Sequence, residues 1–263
     1  MPAASTYHKL PIFDGLEMLD ARGHRQPFPW HQHETYNLSL ITAGTESIAL
    51  PDGSVLSALA GSVSLTHPHE VHANPVLHGS GVSFFTFYLS PDLVTHLAGG
   101  APVRFGHHIV NDPALFGRLL PLAQAGLAHP ALEAALAATL RELVARHGHA
   151  GPADQPPRAR PALVADLEHC LLAQLENPPP LAQLARQHGL DRFKLLRLFK
   201  QHTGLTPHAF VLMKRVGAAK RLLDQGAPLA AAALEVGFYD QAHFSRFFKS
   251  FVGVSPGQYQ SGS

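Results

Sequence analysis

The sequence of 263 residues contains a single cysteine, which excludes a framework of intramolecular disulfides. Cys170 lies in an apolar helical run, so a reducing compartment is expected. No stretch approaches the roughly 18 consecutive apolar residues of a membrane-spanning helix, and the N-terminus lacks a basic-then-apolar signal pattern. These absences predict a soluble cytoplasmic protein with no membrane partner.

Charged residues are also scarce, at 15% of the chain, and the net charge is only +1. The near balance hides an asymmetry. From Leu181 onward there are eleven Lys and Arg against four Asp and Glu, whereas the remainder has nine basic and fifteen acidic residues. A basic C-terminal third beside an acidic remainder is typical of a phosphate-binding module joined to a domain that does not bind nucleic acid.

What the sequence does contain is an internal repeat in its last third. The segment RFKLLRLFKQHTGLTP begins at Arg192, and QAHFSRFFKSFVGVSP begins at Gln241. An offset of 49 residues aligns Arg197 with Arg246 and brings a glycine and a proline of the two segments into register. Together with the residues before it, each copy predicts a short helix, a turn with glycine and a basic second helix. This pattern is the helix-turn-helix, present twice.

Each second helix is expected to bury one face and to present the other to the major groove of DNA. Apolar residues at helical spacing predict the buried faces: Leu195, Leu198, Phe199, Phe244, Phe247 and Phe248. The outer faces then carry the candidate DNA-binding residues: Arg192, Phe193, Lys194, Leu196, Arg197, Lys200, Gln241, His243, Arg246 and Lys249. Arg suits guanine and Gln suits adenine, whereas Lys and Arg near helix ends more often neutralise phosphates. A single charged face is usually only solvated, but two tandem copies favour DNA binding.

A helix is predicted between the two motifs, beginning at Thr206-Pro207 and ending at Asp224 before Gly226. About eighteen residues at about 1.5 Å each span about 27 Å. This length is suited to placing the two recognition helices about one DNA turn apart, in successive segments of the major groove.

The N-terminal half is predicted to contain short strands followed by helices. Apolar and β-branched runs at Tyr36–Ile41 and Val82–Leu89, separated by glycine turns, indicate a small antiparallel barrel or sandwich. Ser90-Pro91 and Asp112-Pro113 are typical helix starts. A helix predicted from Pro130 to about Arg146 carries leucines along one face. That face either packs on the barrel or forms a dimer, so a homodimer is compatible with the sequence. Residues 149–161 have the composition of a linker.

The segment from Leu181 to Tyr259 resembles the DNA-binding domain of the AraC/XylS family of transcriptional regulators. The resemblance rests on GLTPHAF, KRVGAAKRLL and EVGFYDQAHFSRFFKSFVGVSPGQY. It implies double-stranded DNA and RNA polymerase as partners, and base reading by outer residues of both recognition helices: Phe193, Leu196, Arg197, Gln241, His243 and Arg246. Three features depart from the family pattern. Leu196 replaces a polar residue, the alanines at 230–233 replace a bulkier pattern, and Gln260 stands where an arginine often follows the last aromatic residue.

The segment around Trp30-His31-Gln32-His33-Glu34 resembles the cupin-type sensor domain of such regulators, over about residues 25–90. On a strand, His31 and His33 would point to the same face. The candidate effector-binding residues are Trp30, His31, His33, Tyr36 and His72. These histidines also allow a purely structural interpretation, or a zinc-like ion held by His31, His33 and His72 with water. Metal-binding cupins have a glutamate at the position of Asn37, and asparagine is a poor ligand, so no cofactor is expected.

The predicted fold class is α+β. A cupin-like antiparallel β-barrel with flanking helices is expected at residues 1–150, and an all-α domain with two helix-turn-helix motifs at residues 160–263. The predicted function is a sequence-specific DNA-binding transcriptional regulator, controlled by a small-molecule effector in the barrel and lacking catalytic residues. Activation and repression are both left open. The alternative is a metal-dependent cupin enzyme with an accessory helical domain, against which the missing glutamate and the basic tandem motif argue.

Overall fold

The computed structural model describes residues 4–13, 15–77, 79, 81–125, 130–151 and 161–262. The chain divides into two compact units. The first contains Met1–Pro27, Gln32–Gln155 and Ser261–Ser263, and the second contains Phe28–His31 and Pro156–Gln260. Most of the predicted linker, residues 152–160, lies outside the described residues.

The secondary structure has the α+β character that the sequence predicts. The strands are β1 (Ala4–Leu10), β2 (Leu16–His24), β3 (Phe28–His31), β4 (Tyr36–Ala43), β5 (Thr45–Ala49), β6 (Val55–Leu59), β7 (Val63–Thr66), β8 (His72–Asn74), β9 (Val82–Leu89), β10 (Val103–Phe105), β11 (Ile109–Val110) and β12 (Gly148–Ala150). The helices are α1 (Pro91–Leu97), α2 (Pro113–Gln124), α3 (Pro130–His147), α4 (Ala162–Ala173), α5 (Leu181–Gln187), α6 (Arg192–Thr203), α7 (Pro207–Asp224), α8 (Leu229–Glu235), α9 (Gln241–Val252) and α10 (Pro256–Ser261).

The first unit is an antiparallel barrel-like arrangement of two sheets. The larger sheet has the strand order β1-β2-β9-β4-β7-β11, and a smaller sheet contains β8, β5 and β6 in that order. Strands β10 and β12 form a separate two-stranded ribbon. The strand pairs β1–β2, β2–β9, β9–β4, β4–β7, β7–β11, β5–β6, β5–β8 and β10–β12 are antiparallel.

The larger sheet has one apolar face and one polar face because side chains alternate along its strands. On β4, Leu38 and Leu40 are fully buried in the hydrophobic core, where residues of β9 and of α2 and α3 also lie. Asn37 and Ser39 alternate with these leucines along β4, so they point to the opposite face. A mainly polar surface therefore lines the inner side of this sheet, and it positions the candidate effector site.

The leucine-bearing helix α3 packs against the core of its own unit. Leu136, Leu140 and Leu143 are each no more than 1% exposed and belong to the hydrophobic core. The packing interpretation of this face is therefore correct, and the leucines are not available to a second protomer. The predicted helix starts are confirmed as well, since the Ser90 and Asp112 side chains cap α1 and α2.

The second unit contains the two predicted helix-turn-helix motifs, formed by α5 with α6 and by α8 with α9. Helix α7 joins them and has the eighteen residues expected from the sequence, with Thr206 as its N-cap. In the described residues of both units, no helix has the length and apolar content that crossing a membrane requires.

The side chain of Arg215 connects α7, the helix between the two motifs, to the segment that follows α4. Its Nε donates to the carbonyl oxygen of Leu175 at 2.9 Å, and its Nη2 donates to that of Glu176 at 3.0 Å. The sequence predicts a helix from Pro161 to Glu176, ended by Asn177 and three prolines, but α4 ends at Ala173. Arg215 satisfies main-chain carbonyls just beyond that end, which offsets the cost of stopping the helix.

Gly237, in the turn of the second motif, lies at the same junction. Its φ of +91° is in the left-handed region, and a Cβ there would contact the Glu176 carbonyl oxygen and lie 2.7 Å from the Glu176 Cα. Both features require glycine, because a side chain would strain the backbone and collide with backbone atoms.

We expect Gly237→Ala to lower the free energy of unfolding by about 2 kcal/mol or more, from backbone strain and this collision. The matched control is Gly217→Ala in the middle of α7, where a Cβ would meet nothing within 4 Å. That change should stabilise the protein by up to about 1 kcal/mol, since alanine favours helix. Urea unfolding monitored by helical circular dichroism measures both. Equal effects of the two substitutions on the free energy of unfolding would contradict the conclusion that position 237 requires glycine.

Candidate DNA interface and barrel interior

The first recognition helix, α6, has capping residues that fix both of its ends. The Asp191 carboxylate accepts the N–H groups of Phe193 and Lys194, each at 2.9 Å. These hydrogen bonds lower the pKa of Asp191. The helix ends at Gly204, whose φ of +74° is left-handed and whose N–H donates to the Lys200 carbonyl at 2.9 Å.

The second recognition helix, α9, repeats this construction. The Asp240 carboxylate accepts the N–H of His243 at 2.7 Å. At the other end, Gly253 has φ +86° and donates its N–H to the Lys249 carbonyl at 2.9 Å. Both recognition helices therefore have twelve residues between equivalent caps.

The buried faces of these helices lie where the sequence predicts, with one difference in each. Leu195 and Phe199 on α6, and Phe244 and Phe248 on α9, are fully buried. Leu198 and Phe247, which were also expected to be buried, are only half-buried. Phe247 instead lies below the Arg246 guanidinium, whose carbon is 5.3 Å from the ring centroid.

The outer faces of both helices carry exposed positive charge, and among these cations Lys194 lies near the Asp191 carboxylate. The exposed cations are Arg192, Lys194, Arg197, Lys200, Arg246 and Lys249. Within the described part of the chain, none of them forms an ion pair. Uncompensated cations on one helix face attract an anionic polymer, because binding releases the counterions condensed on its phosphates.

The uncharged candidate DNA-binding residues on these helices differ in solvent exposure. Phe193 is 67% exposed, with the Arg192 guanidinium 4.9 Å from its ring centroid, and Gln241 is also exposed. Leu196 and His243 are half-buried. The His243 Nδ1 atom is buried without a hydrogen-bond partner among the described residues. The contribution of His243 to base reading is therefore restricted to its other ring nitrogen.

In the first unit, two rows of polar side chains cross the inner face of the larger sheet. Thr66, Asn37 and Tyr88 are directly opposite one another on β7, β4 and β9. The neighbouring row contains Ser64, Ser39 and Thr86, in which the Ser39 and Thr86 hydroxyls are 2.7 Å apart. So many buried polar groups on one face are costly unless they are hydrogen-bonded or bind a ligand.

Glu46 on β5 is a buried carboxyl group of this interior. It is 9% exposed, and its carboxyl accepts hydrogen bonds from the Ser64 hydroxyl at 2.6 Å and the Asn74 amide at 3.1 Å. Burial raises the pKa of Glu46 to about 7, although the hydrogen bond from Ser64 opposes this. Glu46 was not among the residues singled out from the sequence. The available signal was a carboxylate between small and apolar residues in a short run after Gly44.

Among the predicted effector residues, His33 and His72 lie together in the first unit. Their ring centroids are 5.6 Å apart, and the Tyr88 ring lies 5.7 Å from that of His33. The His72 Nδ1 is 2.9 Å from the Glu70 carbonyl oxygen, to which it can only donate, so its proton is on Nδ1. Burial lowers the pKa of His72, which favours the neutral ring.

Tyr36 lies apart from this pair. Because it alternates with Asn37 on β4, its side chain lies on the core face of the sheet, and its hydroxyl donates to the Val103 carbonyl at 2.5 Å. Its ring packs edge-on against Phe105 at 5.8 Å. The structure therefore assigns Tyr36 a packing position and not a position on the polar inner face.

Trp30 and His31 belong to β3, which is grouped with the second unit. The two adjacent residues point to opposite faces of the strand, and only His31 is buried. The strand ends at His31. His33 is beyond that end, so strand alternation, the argument used to place the two histidines on one face, does not apply to it.

A second group of titratable side chains, His67, Glu70 and His108, offers ligand atoms within 4.8 Å of one another. The Phe105 N–H donates to the His67 Nε2 at 3.0 Å, so the ring proton is on Nδ1, 3.2 Å from the Glu70 carboxylate. Because His67 then directs a proton and not a lone pair at Glu70, this cluster is suited to hydrogen bonding and not to a metal ion.

The charges of this cluster stabilise each other. The hydrogen bond with Glu70, at 2.8 Å from Nε2, raises the pKa of His108. Burial alone would raise the pKa of Glu70, but hydrogen bonds from His108 and His67 hold it well below its usual range. The cluster joins the loop after β7 to the segment that contains β10 and β11.

The high pKa of Glu46 predicts a pH-dependent stability. The folded protein keeps a proton that the unfolded chain loses near the ordinary pKa of 4.5, so the free energy of unfolding should fall as the pH rises from about 4.5 to 7. The total loss is roughly 3 kcal/mol. Glu46→Gln should remove this fall, which makes the variant more stable than the parent at pH 8 by up to about that amount.

Urea unfolding across this pH range measures the effect, and Glu34→Gln, at an exposed glutamate, is the control that should behave like the parent. An identical pH dependence for Glu46→Gln and the parent protein would contradict the burial argument.

Comparison with known proteins gives two family matches that cover most of the chain. Residues 15–159 match the AraC-like ligand binding domain, and residues 184–262 match a helix-turn-helix domain.

Three relatives are named as regulators. The uncharacterized HTH-type transcriptional regulator YbfI of Bacillus subtilis is 27% identical over 239 residues, which cover 87% of this chain and 85% of that protein. The probable transcriptional regulator LumQ of Photobacterium leiognathi is 27% identical over 236 residues, 88% and 91% of the two chains. An HTH-type regulator of Haemophilus influenzae is 36% identical over 107 residues, and the match spans only 34% of that protein.

The fold is similar to a solved structure over its whole length. The crystal structure of an apo ToxT variant from Vibrio cholerae has a TM-score of 0.55 and 13% identity, covering 100% of this chain and 98% of that one. At this identity the likeness supports the fold alone, which confirms the predicted α+β class. Since the ligand-binding family model matches more than half of the chain and the helix-turn-helix model matches its C-terminal part, the protein belongs to the AraC family of transcriptional regulators.

Proposed function

We propose that this AraC-family regulator reads two successive major-groove segments of its operator, one with α6 and one with α9. The observation that carries the proposal is the duplication of a capped, twelve-residue helix with exposed and unpaired cations. The eighteen residues of α7 span about 27 Å between the two motifs, which is close to one turn of DNA.

The exposed side chains divide into base readers and phosphate contacts. Arg197 and Arg246 occupy equivalent positions within the two helices and are suited to guanine, and Gln241 at the start of α9 is suited to adenine. Lys200 and Lys249 lie in the last turns and are suited to phosphates. The remaining candidates near the start of α6 are Arg192, Phe193 and Lys194, of which Phe193 offers an apolar contact to a thymine methyl group.

We also propose that the barrel binds a small-molecule effector on its polar inner face. The side chains that support this are His33 and His72, together with the polar rows around Asn37 and Tyr88. Trp30 and His31 remain candidates on β3, whereas Tyr36 is left out because it packs in the core. A ligand with different affinities for two states of the protein shifts their populations, and with them the affinity for DNA.

Two further partners belong to this proposal. A regulator of transcription acts on RNA polymerase, directly or by occupying its promoter. A homodimer would need a surface other than the leucine face of α3, because Leu136, Leu140 and Leu143 are buried within one chain.

The role of Arg246 can be tested by substitution. Arg246→Ala should cost about 1–3 kcal/mol of binding free energy, chiefly at one base pair of the operator, because a bidentate contact to a guanine is lost. Fluorescence anisotropy with an operator selected from random DNA, and with each of its single-base substitutions, measures the loss. Arg118→Ala, in the first unit, is the control. A loss spread evenly over all sequences would contradict base reading by Arg246.

Lys249 should behave differently, as a phosphate contact. Lys249→Ala should weaken binding to all sequences by a similar factor and reduce the slope of log K against log salt by about 1. The same titration, repeated over a range of salt concentrations, measures the slope. An unchanged slope together with altered base preference would overturn this assignment.

A further inference from the structure

Among the described residues, Glu46 in the barrel interior has no cationic partner. Its carboxyl accepts hydrogen bonds from two uncharged groups, the Ser64 hydroxyl and the Asn74 amide, and it forms no ion pair with any described residue. A buried carboxyl in this situation is costly to ionise, since the attraction of two neutral donors does not replace the lost hydration.

A second polar group of the barrel interior lies across from Glu46, on β7 of the larger sheet. The Thr66 side chain is 6% exposed, and its Oγ1 atom has no hydrogen-bond partner among the described residues. Thr66 is two residues after Ser64 on β7, so the two side chains are on the same face, roughly 7 Å apart along the strand. Ser64 in turn contacts Glu46. A carboxyl without a counter-ion and an unpaired hydroxyl therefore lie within reach of one small molecule.

The charges around this site favour a cation. The nearby Tyr88 has its pKa raised first by burial and then by the negative charges of Glu17 and Glu46. Glu17 is directly opposite Tyr88 on the neighbouring strand, so a second carboxylate lies at this end of the sheet. A bound carboxylate would be repelled by Glu46, and a neutral polyol would leave its charge uncompensated. A protonated amine would satisfy it and would gain a charge-assisted hydrogen bond.

We propose that the effector of the barrel is a small protonated amine that also carries a hydroxyl group, with its ammonium on Glu46 and its hydroxyl on Thr66. This inference rests on the proposed sensing role of the barrel and specifies the chemical class of the ligand. Asn37, opposite Thr66 on β4, offers a further polar contact at the same position.

Three probes of nearly equal size test the class: ethanolamine, ethylene glycol and glycolate. They differ in one end group, which is an ammonium, a hydroxyl or a carboxylate. Titration of the full-length protein at pH 8, followed by calorimetry or ligand-observed NMR, should show ethanolamine binding at least about tenfold more tightly than ethylene glycol, and glycolate binding more weakly still. Absence of ethanolamine binding, or equal or tighter binding of either other probe, would overturn the proposal.

Two variants test the residues. Glu46→Gln, which keeps the shape of the side chain, should abolish the preference for ethanolamine over ethylene glycol, and Thr66→Val should weaken ethanolamine binding several-fold while keeping that preference. Glu34→Gln should bind like the parent. Retention of the ammonium preference in Glu46→Gln would contradict the inference.

Operator binding without any probe, measured on the same variants, separates this inference from the function on which it rests. If the parent protein binds its operator but shows no preference for ethanolamine, the inference of an amine effector is rejected while the proposed regulator function stands. Loss of specific DNA binding by the parent protein would reject the proposed regulator. A variant that binds its operator normally is also folded, so a lost preference in it cannot be attributed to unfolding.

Discussion

The burial of one face of each recognition helix is the constraint on which the DNA-binding unit depends. Leu195 and Phe199 anchor α6, and Phe244 and Phe248 anchor α9, all with no exposed surface. Fixing four large side chains in this way decides which residues of each helix remain outside. The aspartate and glycine caps then set where each helix begins and ends. The outer cations follow from these two constraints, since they occupy the positions that the core does not use.

In the barrel, one face of the larger sheet carries buried polar groups, which do not stabilise the fold as the buried apolar faces of the recognition helices do. The core face of the larger sheet is apolar and well packed, but its inner face carries hydroxyls and the Asn37 amide, and Ser64 on that face contacts the buried carboxyl of Glu46 on the smaller sheet. Burying these polar groups has an energetic cost. In the His67, Glu70 and His108 cluster, by contrast, hydrogen bonds and opposite charges compensate buried polar groups. On the inner face, the Thr66 hydroxyl has no hydrogen-bond partner among the described residues, in agreement with the proposed role of this face in binding a polar ligand.

Much of the fold was predictable because local signals and periodicity agreed. The repeat, the helix caps at Ser90, Asp112 and Thr206, and the length of α7 all follow from residue types whose conformational preferences are strong. The end of α4 was predicted too late, because the contacts of Arg215 with the carbonyls of Leu175 and Glu176 depend on residues about forty positions away.

The site was harder to predict than the fold, since membership of a face requires the register of a strand and its ends. His33 lies near His72, but it is beyond the end of β3, so strand alternation is not what places it there. Tyr36 is on the core side of β4, although the next residue, Asn37, is on the polar face. Glu46 gave only a weak signal, because a carboxylate in a short strand usually points to solvent. Its burial depends on pairing with distant strands, which no local pattern of residues reveals.

The most direct test of the account is a methylation-interference and hydroxyl-radical footprint of the full-length protein on its selected operator. Two recognition helices joined by α7 should contact two major-groove segments on one face of the duplex, about 10 base pairs apart. Arg197→Ala should weaken contacts in one segment and Arg246→Ala those in the other. A single contacted segment, or two segments that both respond to the same substitution, would contradict the claim that the duplicated helices read DNA side by side.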